Sequence, residues 1–321
     1  MKLAVIGGGA WGSALAELSA LNGVLVTVWD QDPSRLARWR APRVGAAKES
    51  VAPVAVDTLS AALDGAECVI VAVPSSVMRK ATLPLSAYGG IVVSVTKGIE
   101  FETGLTMSGV LEQTAPRASI AALSGPTLAT EVAKGVPTAA VVASEDPDTA
   151  LRVQSMLHRP SFRLYTGSDL VGVELGGALK NVIAVAAGIC DGLGFGDNTK
   201  AALVTRGVVE MRRLGVACGA KAETFSGLSG LGDLVATCAS KLSRNRTLGE
   251  RLGRGESLQA ALELSAGVAE GHPTARAAKS LARQMEVSTP IIDEVYNVLY
   301  EAKPVRSALE DLLARSTKAE D

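Results

Sequence analysis

Short runs of apolar residues alternate with helical stretches along the first half of the chain. Lys2 to Ile6 (KLAVI), Val24 to Trp29 (VLVTVW), Cys68 to Val73 (CVIVAV), Ile91 to Val95 (IVVSV), Ser119 to Leu123 (SIAAL) and Thr138 to Ala143 (TAAVVA) read as strands. Apolar residues at nearly every position mark strands covered on both faces, because a strand with one wet face alternates. With helices between them, they predict a doubly wound, mostly parallel α/β sheet. After about Gly167 the strand runs stop. Helices are expected at Leu170 to Ile189, Thr199 to Val216, Ser257 to Leu264, Thr274 to Met285, Ile291 to Tyr300 and Arg306 to Ala314, with apolar spacings of three and four such as Ile292, Val295 and Leu299. The pattern divides the chain into an α/β domain at 1–167 and an all-helical domain at 168–321.

Composition narrows the chemistry. The 321 residues are 47% hydrophobic and 20% charged, with 32 Lys+Arg against 33 Asp+Glu, so the surface lacks the excess of cations that nucleic-acid binding requires. The N-terminus MKLAVIGGGAWG enters a strand without the pattern of a secretory signal, and a cytoplasmic location is expected. The longest apolar stretch, Leu175 to Cys190, contains Lys180 and is too short to cross about 30 Å of hydrocarbon, so no integral membrane segment is expected. Cys68, Cys190, Cys218 and Cys238 show no CxxC spacing and read as small buried residues; no metal site is expected. The two histidines, His158 and His272, both stand in loop-like, proline-adjacent contexts, so the acid or base of an enzyme would not be His.

Gly7-Gly8-Gly9-Ala10-Trp11-Gly12 fits G-x-G-x-x-G, follows a strand and opens a helix, which together point to a Rossmann-type dinucleotide site. Gly7 suits the tight turn, Gly9 the close approach of backbone to a pyrophosphate, and Gly12 close packing of helix on strand. Asp30, at the end of the second strand, suits the ribose 2′-OH and disfavours a 2′-phosphate, which leans the cofactor toward NAD(H) over NADP(H).

Three further clusters bear on chemistry. Lys97 follows the strand Ile91 to Val95 and lies beyond the carboxyl edge of a parallel sheet, where ligands collect. Lys180 is the lone charge from Leu175 to Cys190. A helix apolar all round is buried, and a lysine there serves as a general base, as a donor to an oxygen that gains charge, or as a structural partner of Glu174 or Asp191. Asp233 and Thr237 stand one helical turn apart, and Ser243, Arg244, Asn245 and Arg246 follow, with Arg244 offering a fork for phosphate or carboxylate. Cations beside a nicotinamide site suggest hydride transfer on an anionic substrate.

The chain resembles the bacterial-type NAD(P)-dependent glycerol-3-phosphate dehydrogenases. The resemblance rests on GGGAWGSALA (7–16), VTKGIE (95–100), SGPTLATEVAKG (124–135), ELGGALKNVIAVAAG (174–188), GLSGLGDLVATC (227–238), SRNRTLG (243–249) and VAEGHPT (268–274), in order over almost the whole chain. It implies reversible reduction of dihydroxyacetone phosphate to sn-glycerol 3-phosphate for phospholipid synthesis, by a homodimer. Lys180 would be the general acid/base, with Lys97, Asp233 and Thr237 also in the catalytic set. Gly125, Thr127, Ser243, Arg244 and Asn245 would join Lys97, Lys180 and Asp233 around the substrate. Ala10, Trp11, Ala129, Val268 and Glu270, with Lys97 and Arg244, would line the dinucleotide site. Asp30-Gln31 stand where many relatives carry a small residue and then a basic one, which departs from the usual NADPH preference, and 41–56 does not resemble the family's segment. The β-hydroxyacid dehydrogenases share the domain order and a Lys-Asn pair but would act on a carboxylate and lack the SGPT and SRNR segments. A dinucleotide-binding regulator without turnover would not require Lys97, Lys180 and Asp233 together.

Overall fold

The computed structural model describes residues 1–40, 52–263 and 268–316. Residues 41–51 of the divergent stretch, and Leu264 at the end of an expected helix, lie outside them. The chain forms two compact units, one from Met1–Lys97 with Leu105–Glu174, the other from Gly98–Gly104 with Leu175–Asp321.

The first unit is built on an eight-stranded sheet: β1 Lys2–Ile6, β2 Leu25–Trp29, β3 Val54–Ala55, β4 Cys68–Val71, β5 Ile91–Ser94, β6 Ser119–Ser124, β7 Thr138–Ala143 and β8 Phe162–Gly167, in the order 3-2-1-4-5-6-7-8. Successive side chains of a strand leave on opposite faces, and both faces are covered. Leu3 and Val5 join one core with Leu15, Val28 and Val93, while Ala4 and Ile6 join another with Val69, Val92 and Leu111. That double burial is why these strands read as unbroken apolar runs. The strand order reverses between β1 and β4, and a doubly wound sheet places ligands at the carboxyl end of that switch point.

Sequence pattern misses two strands and one direction. β3 has only two residues. In β8, FRLYTG, the residues at Phe162 and Leu164 are buried while Arg163 and Tyr165 are exposed, so this edge strand alternates as a one-sided strand does. β7 runs antiparallel to β6 and parallel to β8, although its TAAVVA composition resembles that of the sheet's apolar parallel strands.

The second unit is helical. Its main helices are Asp197–Ala217, Asp233–Ala239, Arg244–Gly253, Gly271–Gln284, Pro290–Tyr300 and Val305–Leu313, together with the larger part of the helix Leu170–Gly192. That last helix runs 23 residues, so the expectation that it is too short for a membrane fails on length. It is the one candidate span among the described residues, and 94% of its apolar window is buried, as in a core helix of a globular protein. His272 also departs from its expected loop context, since it stands in the first turn of Gly271–Gln284. Cys68, Cys190 and Cys238 are buried and Cys218 is partly exposed. Desolvation raises all four thiols, Cys68 and Cys238 to about 12, which leaves them poor nucleophiles.

Candidate active site

The glycine loop shows three different reasons for glycine. Gly7 has φ +108°, and a Cβ there would lie 2.5 Å from the Ala72 carbonyl oxygen. A Cβ on Gly12 would lie 2.0 Å from the Gly7 carbonyl oxygen, so helix and turn meet backbone to backbone. At Gly9 an added Cβ would meet no atom within 4 Å. Among the described residues nothing fills that space, and it adjoins the N-terminus of the helix Ala10–Ala20, which Gly9 caps without a side-chain bond and without an acidic residue in its first turn. Free amide N–H groups facing open space form an anion cradle, so the residues present fit a dinucleotide pyrophosphate. Ala10 is exposed beside this cradle. The Trp11 ring packs toward the core, 6.4 Å from the Phe162 ring.

Asp30 is 9% exposed, and its carboxylate accepts the Gly8 N–H at 2.6 Å and the Asp32 N–H at 2.8 Å. The Arg35 guanidinium stands 3.5 Å away. Asp30 therefore holds the glycine loop from the carboxyl end of β2. A carboxylate has about four lone-pair sites, which leaves room for a further donor.

Lys97 sits just beyond β5. Its Nζ donates to the Gly125 carbonyl at 2.8 Å and to Thr127 Oγ1 at 3.1 Å. Gly125 has φ +143°, and a Cβ there would lie 2.9 Å from Ala140 Cα, which explains glycine after β6. Lys97, Gly125 and Thr127 thus gather at the carboxyl edges of adjacent parallel strands, while Ala129 opens the short helix Ala129–Ala133.

In the helical unit Lys180 is 6% exposed, and its Nζ lies 2.8 Å from Asp233 Oδ1 and 2.7 Å from Thr237 Oγ1. The partner is neither Glu174 nor Asp191, the two margin residues considered from sequence. Glu174 accepts the Ser108 N–H at 2.9 Å and Asp191 pairs with Lys200 and Arg246. Asp233 opens its helix, is 2% exposed, and turns its Oδ1 to both the lysine and Thr237. Thr237, one turn on, donates to the Asp233 carbonyl at 2.6 Å, which fixes its Oγ1 as acceptor for the ammonium. An ammonium has three donors; Asp233 and Thr237 take two of them.

Asn245 links this cluster to the next. Its Nδ2 donates to Asn181 Oδ1 at 2.8 Å, and its Oδ1 accepts the Gly271 N–H at 2.8 Å. Asn181 follows Lys180 in sequence but points about 100° around the helix, so its role as the anchor of Asn245 is not legible from spacing. Ser243 caps Arg244–Gly253 by accepting the Arg246 N–H at 3.2 Å, while Arg244 is exposed at the same helix end. Arg246, buried against Asp191 at 2.6 Å, is structural. Glu270 and Val268 precede Gly271, with Val268 45% exposed.

Glycines also bring the helices of this unit together. A Cβ on Gly188 would lie 1.9 Å from the Arg246 carbonyl oxygen, one on Gly192 2.2 Å from that of Glu250, one on Gly249 1.9 Å from that of Val185, and one on Gly253 2.5 Å from that of Ile189. A G-x-x-x-G pair on each helix thus lets the two backbones touch. That contact brings Asn245 to Asn181. Among the described residues no cluster of three His, Cys, Asp or Glu side chains is placed to hold a metal ion.

Comparison with known proteins meets this geometry over the whole chain. Residues 2–150 match the family model for the NAD-dependent glycerol-3-phosphate dehydrogenase N-terminus, and residues 169–310 match that for its C-terminus. The chain is 49% identical over 330 residues to glycerol-3-phosphate dehydrogenase (NAD(P)+) of Geobacter metallireducens, covering 99% of this chain and 98% of that one. It is 47% identical to the Geobacter sulfurreducens enzyme of the same name, with the same coverage. The crystal structure of glycerol-3-phosphate dehydrogenase from Coxiella burnetii is similar at a TM-score of 0.92 and 34% identity, covering 98% of this chain and 99% of that one. A glycine-cradled nucleotide site, a buried Lys-Asp-Thr cluster and this end-to-end likeness lead to one conclusion: the chain belongs to the NAD-dependent glycerol-3-phosphate dehydrogenase family.

Proposed function

We propose that this chain reduces dihydroxyacetone phosphate to sn-glycerol 3-phosphate, reversibly and with NAD(P)H, as a supply for phospholipid synthesis. The observation that carries the reading is the buried Lys180 ammonium held at 2.8 Å by Asp233 and 2.7 Å by Thr237, with one donor to spare. Residues 1–167 serve as the dinucleotide-binding domain and 168–321 as the substrate-binding and catalytic domain. Gly7, Gly9, Ala10, Trp11, Gly12, Asp30, Lys97 and Ala129, with Arg244, Val268 and Glu270, would hold the dinucleotide. The reduced nicotinamide, when bound, supplies the hydride that the substrate's ketone carbon accepts. Lys180 Nζ gives its proton to the ketone oxygen, producing the secondary alcohol and a neutral amine that Asp233 and Thr237 keep in place until water reprotonates it. In the reverse direction the amine takes the proton back.

Lys97 with Gly125 and Thr127 orients the substrate, and Ser243, Arg244 and Asn245 at a helix N-terminus receive its phosphate, where amide N–H groups and a guanidinium favour an anion. Asp30 leans the enzyme toward NADH. We also place it in the cytoplasm as a homodimer joined through apolar helices of the second unit. Mixing the purified protein with dihydroxyacetone phosphate and NADH or NADPH, and following absorbance of the reduced nicotinamide, tests the reading. Substrate-dependent oxidation is expected, faster per unit substrate with NADH; no oxidation of either cofactor contradicts it.

A further inference from the structure

The segment Gly98–Gly104 lies in the first half of the sequence yet belongs to the helical unit, and it begins one peptide bond after Lys97. It is a tight strap. Ile99 is 3% and Glu100 9% exposed, Thr103 Oγ1 donates to Glu100 Oε2 at 2.6 Å, and the Gly104 N–H closes a turn on the Glu100 carbonyl at 2.9 Å. Gly104 takes φ +74°, with Gln284 and Leu281 next to where its Cβ would be. The helix Gly271–Gln284 therefore lies under the strap's end. One turn and more before Leu281, Arg276 projects from that helix, its guanidinium carbon 3.7 Å from the centre of the Phe101 ring. A planar cation on a ring face is held by the ring quadrupole.

We propose that the Arg276–Phe101 clamp is a positioning device for Lys97. The Lys97 side chain is turned to Gly125 and Thr127, while its backbone continues directly into the strap. Whatever holds the strap on the helical unit also fixes the main chain from which Lys97 springs. Arg276 touches neither substrate nor cofactor in this account; it acts through Phe101. The inference rests on the reading of Lys97 as a substrate-orienting residue.

The test combines Arg276→Ala, Arg276→Lys, Phe101→Leu and the double variant Arg276→Ala/Phe101→Leu in the full chain. Because Arg276 is exposed and Phe101 half-buried, the loss is set by the strength of such a contact near a surface, roughly two- to fivefold. kcat/KM for dihydroxyacetone phosphate should fall by about that factor in Arg276→Ala and in Phe101→Leu, and no further in the double variant. Tm should stay at the wild-type value, and Arg276→Lys, which keeps the cation, should recover most of the loss. Unchanged kcat/KM in Arg276→Ala overturns the proposal, as does a double variant whose loss is the product of the two single losses. If the wild-type chain does not turn over dihydroxyacetone phosphate, the functional reading fails instead. Hydrogen exchange then decides the clamp separately: amides of 98–104 should exchange faster in Arg276→Ala, and unchanged exchange refutes it.

Discussion

Glycine does opposite work in the two units. At Gly9 of the first unit an added Cβ would meet nothing within 4 Å, whereas at Gly249 of the second it would lie 1.9 Å from the Val185 carbonyl oxygen. The first keeps space open for something the protein does not itself supply, and the second is already filled by neighbouring backbone. A glycine pressed on a carbonyl marks a packing requirement, while one facing open space beside a helix N-terminus fits a binding surface; open space alone does not, since Gly23 and Gly219 also meet no atom within 4 Å. Gly12, only three residues from Gly9, is of the packing kind, 2.0 Å from the Gly7 oxygen. A motif therefore mixes both purposes, and only the geometry separates them.

Substitution by alanine breaks or sharpens this contrast most strongly at Gly249. Alanine in a helix interior gains about 1 kcal/mol over glycine in propensity, yet two backbones would have to part, which we expect to cost at least about 3 kcal/mol. Gly249→Ala should lower Tm by on the order of 10 °C in a thermal melt followed by circular dichroism. A melt at or above the wild-type temperature would show that the helices do not meet through that glycine.

Gly9→Ala should do the reverse. Its φ of −66° and ψ of −178° suit any residue, so stability should change by less than about 1 kcal/mol. Loss of a backbone approach to an anion should weaken dinucleotide binding by roughly tenfold to a hundredfold, measurable by calorimetric titration. Unaltered affinity would remove the cradle from the account.

The smallest expected effect concerns buried carboxyl groups, one in each unit. Glu174 caps the helix Met107–Thr114 through Ser108, and Glu210 accepts the Ile291 and Ile292 N–H groups at 2.9 and 2.8 Å. Burial pushes both carboxyls from 4.5 up to about 7. Between those values the folded state holds protons that the unfolded chain has released. The resulting stability is fully present below about pH 4.5 and lost as pH rises through about 7. Glu210→Gln keeps an acceptor but cannot titrate, so its urea midpoint should fall less than the wild type's between about pH 5 and about pH 8, by on the order of 1 kcal/mol in stability. Identical pH slopes would mean that Glu210 is ionised throughout.

Much of this was legible in residues alone, for identifiable reasons. Both faces of the sheet are buried, so β1, β4 and β5 announce themselves as apolar runs; β8 exposes Arg163 and Tyr165 and does not. The direction of β7 is set by its connection to β6, which composition does not encode. Lys180 stands out because a lone charge in an apolar helix demands a partner, but the identity of that partner depends on a contact 53 residues away in sequence. Asn181 and Asn245 were separated by a similar span, and the glycine pairs that bring their helices together carry no chemical label. Glu174 and Asp191 are the carboxylates at the margins of the apolar stretch, and each is occupied elsewhere. Resemblance to a family named the residues, and the structure assigns them contacts.

The division of labour between the glycine cradle of one unit and the buried lysine of the other is tested most directly by Lys180→Ala, with NADH affinity and steady-state turnover of dihydroxyacetone phosphate measured on the same preparation. A proton donor in the transition state contributes about 10²- to 10⁴-fold, so kcat should fall by that factor while the dissociation constant for NADH stays within about twofold of wild type. Turnover near the wild-type rate would contradict the assignment of Lys180.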